Sequence, residues 1–221
     1  MTDATSIEVQ DWGIIDYSVA LARQRARLAD LIAGRVADTL IICQHEPVIT
    51  CGTSSQESSF ICSQEALAKK KITVFQVERG GDVTYHGPGQ LIAYPMINLH
   101  HFKTDVGWYM RTLEQSIINT LGNFSVTGQR IEGKAGVWIS PTRKIASIGV
   151  KLSRWCSMHG MAINVLSEST SGFKHIVPCG IAGISTTSVE GERGSPPTLT
   201  DFKDCFIDNF LKLFNHPKVV D

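Results

Sequence analysis

Apolar side chains recur at helical spacing in two stretches of the chain. Val19, Leu21, Leu28, Leu31 and Ile32 predict an amphipathic helix over residues 17–33, with Asp16 placed as its N-cap. Val106, Met110, Leu113, Ile117 and Leu121 give a second helix over 106–121, with Asp105 in the capping position. A final helix is expected from Thr200 through Phe214, and Ser63 caps a short one ending at Lys70. Apolar runs over 39–43, 72–77 and 91–99 predict strands. Between 136 and 166 the pattern turns to alternation, so that 144–152 and 157–165 pair as two strands around a turn near Arg154. The serine-rich stretch 51–63, with Gly52, and the stretch 191–197 predict loops.

Helices that flank clusters of strands, with no regular strand–helix–strand repeat, predict an α+β fold with a mixed β-sheet and flanking helices. No repeat or low-complexity linker divides the chain, so residues 1–221 are expected to form one domain.

Composition narrows the classes without choosing among them. Apolar residues make up 43% of the chain and charged residues 19%, as in ordinary globular proteins. Lys plus Arg and Asp plus Glu each number 21, so no net charge draws the chain toward nucleic acid or a membrane. No apolar run approaches the ~20 residues that span a bilayer. Residues 1–11 carry Asp3, Glu8 and Asp11 and lack the basic character of a secretion or organelle signal, which predicts a cytoplasmic protein. The cysteines at 43, 51, 62, 156, 179 and 205 have neither the density of a disulfide scaffold nor the close pairing of zinc ligands, so no metal is expected.

Three stretches carry candidate chemistry. Arg79-Gly-Gly-Asp-Val-Thr-Tyr-His-Gly-Pro-Gly-Gln90 crowds polar side chains into a glycine-rich bend. It lacks the Gly-Lys-Ser/Thr ending of a Walker A loop, and it is not G-x-G-x-x-G. A tight turn and a ligand-binding loop both fit it, the binding loop better. Lys144-Ile-Ala-Ser-Ile-Gly149 starts an apolar strand with a lysine, which either snorkels to solvent or enters a site, and His159-Gly-Met-Ala162 follows on its partner. Gly149 inside a strand points to close approach of a ligand or of another backbone. In Ile176-Val-Pro-Cys-Gly-Ile181 a proline and a glycine hold Cys179 in a turn. Cys179 is either a packed small hydrophobe or a nucleophile, and a nucleophilic thiol needs a nearby cation such as Lys144 to populate its thiolate near neutral pH.

Taken together these stretches resemble the lipoyl(octanoyl) transferase family, the octanoyl-[acyl carrier protein]:protein N-octanoyltransferases. The resemblance runs in order through Arg79-Gly-Gly81, Thr84-Tyr-His-Gly-Pro-Gly-Gln90, Tyr94-Pro95, Gly136-Val-Trp138 and Lys144-Ile-Ala-Ser-Ile-Gly-Val150. It continues through Arg154-Trp155, His159-Gly160, Asn164-Val165 and Pro178-Cys-Gly-Ile181, with His45-Glu-Pro47 ahead of the set. It implies the α+β fold shared with biotin- and lipoate-protein ligase catalytic domains.

It also implies a ping-pong acyl transfer with no cofactor. Cys179 takes an octanoyl group from octanoyl acyl carrier protein, and a lysine of a lipoyl domain then receives it. The acceptors implied are the lipoyl domains of 2-oxoacid dehydrogenase complexes and the glycine cleavage H protein. By matching position, Lys144 lowers the Cys179 pKa and acts as general acid and base. Arg79, Gly80, Gly81, Asp82, Val83, Thr84, Tyr85 and His86 bind substrate, as do Ser147, Ile148 and Gly149 with Gly160, Met161 and Ala162.

One departure stands out: where the family reads Thr-x-Gly-Arg, this chain has Thr50-Cys-Gly-Thr53. Two rival functions are an ATP-dependent lipoate or biotin ligase on the same fold, and a catalytically dead module that binds carrier or lipoyl domains. A biotin ligase carries a Gly-x-Gly-Arg-x-Gly loop that is absent here, and the presence of both Cys179 and Lys144 disfavours the dead module.

Overall fold

The first long helix, α1 (Tyr17–Ile32), starts where the Asp16 carboxylate accepts from the amides of Ser18 at 2.8 Å and Val19 at 3.2 Å. A computed structural model describes residues 6–177 and 183–215. Cys179 and its neighbours Pro178, Gly180 and Ile181 lie outside the described residues.

Among the described residues, the larger sheet has eight strands. Seven of them are β1 (Glu8–Ile14), β2 (Thr39–Gln44), β6 (Gln90–Met96), β10 (Cys156–Asn164), β9 (Arg143–Ser153), β8 (Lys134–Ser140) and β7 (Gln129–Ile131), in that spatial order. The eighth, β11 (Ser185–Thr186), runs parallel to the start of β9. A smaller sheet sets β3 (Val48–Cys51) between β4 (Thr73–Gln76) and β5 (Val83–His86). Parallel and antiparallel pairs occur in both sheets, and helices cover the larger one, as the α+β reading expects.

The helices α3 (Val106–Asn123) and α5 (Leu199–Asn215) pack over one face of the large sheet, and α1 packs over the other. On α5, Phe202, Phe206, Phe210 and Phe214 recur every fourth residue and are buried, so a single aromatic stripe faces the core. The short helices α2 (Gln64–Lys69), capped by Ser63, and α4 (Val189–Arg193), capped by Ser188, lie between the larger elements. Among the described residues no helix is long and apolar enough to cross a membrane.

Several sequence expectations shift in register. Val19 and Val106 are exposed by 43% and 48%, so neither belongs to a buried stripe. The stripe on α3 is Tyr109, Leu113, Ile117 and Leu121, one uninterrupted i, i+4 row, with Trp108 beside it. The stripe on α1 is completed by Tyr17, Ala20 and Gln24, residues that a count of large aliphatic side chains passes over. Stretch 51–63 is a loop only in part: Cys51 ends the buried β3, and Glu57–Ser59 forms a turn of 3-10 helix. Stretch 191–197 begins inside α4. The glycine-rich stretch 79–90 bends at 79–82 and turns again at 88–89, and between them Val83–His86 is β5, paired antiparallel with β3. The hairpin of β9 and β10 turns at Arg154 and Trp155, both left-handed (φ 49° and 64°) as a two-residue hairpin loop requires.

Candidate functional site

The glycine-rich stretch, β9 and β10 meet around one cavity of about 280 Å³. It is lined by Arg79, Gly80, Gly81, Asp82, Val83, Thr84 and His86, by Lys144, Ser147, Ile148 and Gly149, and by Gly160, Met161 and Ala162. Pairing of β9 with β10 sets Ser147 against Ala162, Ile148 against Met161 and Gly149 against Gly160. Two stretches more than ten residues apart in sequence thus become one wall.

Close approach explains Gly149. A Cβ there would come 2.7 Å from the Gly80 carbonyl oxygen and 3.0 Å from Arg79 Cδ. The approaching group is therefore backbone, fixed further by a hydrogen bond from the Gly80 amide to the Val150 carbonyl at 2.9 Å. Arg79 is buried, and its guanidinium donates to Thr50 Oγ1, to the Thr50 carbonyl at 2.6 Å and to the Gly80 carbonyl at 3.1 Å. Its visible role is to brace the bend against β3. Asp82 accepts both of its hydrogen bonds from Ser59 Oγ, at 2.8 and 3.0 Å. At the position of the family's arginine, Thr53 is exposed, and its amide donates to the Arg79 carbonyl.

Alternation along β5 separates the next four residues. Thr84 and His86 face the cavity, whereas the side chains of Val83 and Tyr85 join the core of the smaller sheet, Tyr85 against Phe173. Tyr85, grouped with the binding residues by resemblance, is not on the cavity wall. Thr84 Oγ1 is buried with no hydrogen-bond partner among the described residues, which leaves its hydroxyl available to a ligand.

Two histidines, His86 and His159, line the cavity, and His45 packs behind His86 with ring centroids 6.0 Å apart; all three are held neutral. Burial pushes His86 well below its ordinary pKa, with His45 and Arg79 adding to the effect. Burial also lowers His45, and lowers His159 to about 4. Their partners fix tautomers. His45 Nδ1 donates to the Ile15 carbonyl, so its Nε2 accepts from Tyr94 Oη, each at 2.7 Å. Gln90 spends its amide group on Tyr85 and Asn164, so its Oε1 accepts from His86 Nδ1 at 3.3 Å. Several sequence motifs thus meet as scaffold: His45 with Tyr94, and Gln90 with Asn164.

Lys144 is buried and lies over Trp138, its Nζ 5.0 Å from the ring centroid. The Gly136-Val-Trp138 motif makes room for it. Gly136 has φ 107°, and a Cβ there would run into the Ala146 carbonyl oxygen and come within 2.7 Å of Lys144 Cε. Gly136→Ala is therefore expected to cost about 2 kcal/mol or more, from backbone strain plus overpacking. It should also displace the lysine. Thermal unfolding and turnover, measured together, should both fall.

Residues not singled out from the sequence also line the cavity: Tyr17, Ser54, Gly133, Lys134 and Ala135. Lys134 brings a second ammonium to the Trp138 ring, 5.3 Å from its centroid. Nothing local marked these residues, because they arrive from the start of α1, from the loop after β3 and from the β7–β8 turn with the first residues of β8.

The family described as the lipoyl protein ligase A/B catalytic domain matches residues 16–211, a span that contains every described wall of the cavity. An octanoyltransferase of Chloroflexus aggregans is 39% identical over 212 residues, covering 95% of this chain and 96% of that one. Among solved structures, a bipartite lipoate protein ligase from Thermoplasma acidophilum, described with its E2 lipoyl domain, superposes with a TM-score of 0.64. It is 14% identical over 94% of this chain and 84% of its own. A biotin protein ligase from Aquifex aeolicus gives 0.56 at 14% identity, over 94% and 72%. These two distant likenesses establish the fold. The near relative and the family match together place the chain among the octanoyltransferases of the lipoyl protein ligase A/B family.

Proposed function

We propose that residues 1–221 act as one catalytic domain, in the cytoplasm, that moves an octanoyl group from octanoyl acyl carrier protein to a lysine of lipoyl domains. The observation that carries the reading is the convergence of Arg79-Gly-Gly81, Thr84, His86, Tyr94, Trp138, Ser147 to Gly149 and His159-Gly160, each from one of the family's ordered motifs, on one cavity with Lys144 in its wall. In the first half-reaction the Cys179 thiolate attacks the carrier's thioester. The carrier thiolate leaves and takes its proton from the Lys144 ammonium, which becomes the neutral amine, and an octanoyl thioester remains on Cys179. In the second, the neutral ε-amine of the acceptor lysine attacks that thioester. The amide forms, the amine's proton passes to Lys144, and the Cys179 thiolate departs. Lys144 as an ammonium favours the thiolate, and as an amine it accepts the proton. The donor and the acceptors follow the resemblance: octanoyl acyl carrier protein, then lipoyl domains of 2-oxoacid dehydrogenase complexes and the glycine cleavage H protein. Of the binding residues carried over by resemblance, all but Tyr85 have a place on the cavity wall that supports the assignment.

Thioester exchange is close to neutral and aminolysis of a thioester is downhill, so the cycle needs no nucleotide. Purified protein is expected to octanoylate a lipoyl domain at the same rate with and without ATP and magnesium. Strict ATP dependence with free octanoate as the donor would instead assign a ligase.

A further inference from the structure

We propose that His159 is the end wall of the acyl cavity and sets the longest acyl chain that is transferred efficiently. The inference rests on the octanoyl-transfer reading, with Lys144 marking the reacting end. The ladder of β9 and β10 supplies a ruler: Ser147 faces Ala162, Gly149 faces Gly160, and Val150 faces His159. At about 3.3 Å per residue, Ser147 to Val150 spans roughly 10 Å. An extended octanoyl chain of seven C–C bonds spans about 9 Å. The Gly80 backbone covers Gly149, so a chain whose carbonyl lies beside Ser147 and Ala162, toward Lys144, runs along the β10 side past Gly160 and meets His159 next.

His159 is held at that point by several independent contacts. Its φ is 57°, a left-handed backbone in the middle of a strand rather than in a turn. Its amide donates to Oε1 of Gln24, a fully buried residue of α1, at 3.0 Å. Its side chain is buried against the cavity, and Nε2 has no hydrogen-bond partner among the described residues. The nearest carboxylate is Glu78, 3.9 Å away, itself anchored by two hydrogen bonds from Arg25 at 3.1 and 2.9 Å. Burial keeps the ring uncharged at neutral pH, so a terminal methyl meets no charge there. A non-glycine residue kept in left-handed strain on a cavity wall is the pattern expected where side-chain placement, and not chain reversal, is what the fold maintains.

The test compares carrier protein loaded with octanoyl, decanoyl and dodecanoyl groups, using wild type, His159→Gly and His159→Asn. Glycine adopts this φ without strain, and asparagine tolerates it better than other side chains, so two variants open the wall while keeping the backbone. Wild type is expected to lose about ten-fold or more in kcat/KM from octanoyl to dodecanoyl. His159→Gly should bring the two within about three-fold, with His159→Asn between, while octanoyl transfer continues. An unchanged octanoyl-to-dodecanoyl ratio in either folded variant, or a wild type indifferent to chain length, would overturn the inference alone. A wild type that transfers no acyl group at all would overturn the octanoyl-transfer reading and the inference with it.

Discussion

Lys144→Met is expected to lower turnover by about 10²- to 10⁴-fold, the usual contribution of a positioned general acid and base, while the protein stays folded. Methionine has nearly the length of lysine and fills the channel between Gly136 and Trp138 without the charge. The side chain is buried, so its removal leaves no solvent-facing gap, and Trp138 keeps a hydrophobic neighbour. The second consequence is a change in the thiol. Without the Lys144 ammonium, the Cys179 pKa is expected to move up toward the ordinary ~8.5, and the thiolate fraction near neutral pH to fall to a few per cent. Iodoacetamide labelling of Cys179 should therefore need higher pH in the variant. A labelling profile that matches wild type would separate Lys144 from the thiol, and unchanged turnover would remove it from the chemistry.

Much of this arrangement was legible in the sequence where local rules act alone. Asp16 and Ser63 announce their helices because a short acceptor side chain at an N-cap satisfies free amides whatever the tertiary context. The hairpin of β9 and β10 was legible because alternation and a turn near Arg154 are both local. By contrast, β1 lies at the sheet edge with most of its side chains exposed, so it carries no apolar alternation to read. The β5 strand was concealed because its glycine-rich flanks outweigh four residues of strand pattern. Errors in helix face have one cause: Tyr, Trp, Gln and Thr fill buried stripes here, whereas aliphatic Val19 and Val106 sit outside them.

The site was legible as motifs and not as geometry. Lys144 taken alone fits a snorkelling lysine better than a site lysine. Its burial over Trp138, and the need for glycine at 136, appear only when β8 and β9 are paired. Tyr85 shows the opposite limit. A contiguous motif groups it with Thr84 and His86, yet strand alternation turns its ring into the core of the smaller sheet.

Cys179→Ser should abolish transfer, by about 10⁶-fold or to background, the scale on which nucleophile deletions act. A serine hydroxyl is far too weak an acid for Lys144 to ionise, so a shape-conserving change removes the covalent route altogether. Binding of octanoyl carrier protein to the variant should persist, since the bend 79–82, β5 and the paired wall of β9 and β10 are untouched. The most direct test of the account is the intact mass of wild-type protein after incubation with octanoyl carrier protein and no acceptor, followed by peptide mapping. The account predicts one added octanoyl group, on Cys179, released by hydroxylamine and absent from Cys179→Ser. An octanoyl group on Cys43, Cys51, Cys62, Cys156 or Cys205 instead, or full transfer activity with no acyl-enzyme detectable at any time, would contradict it.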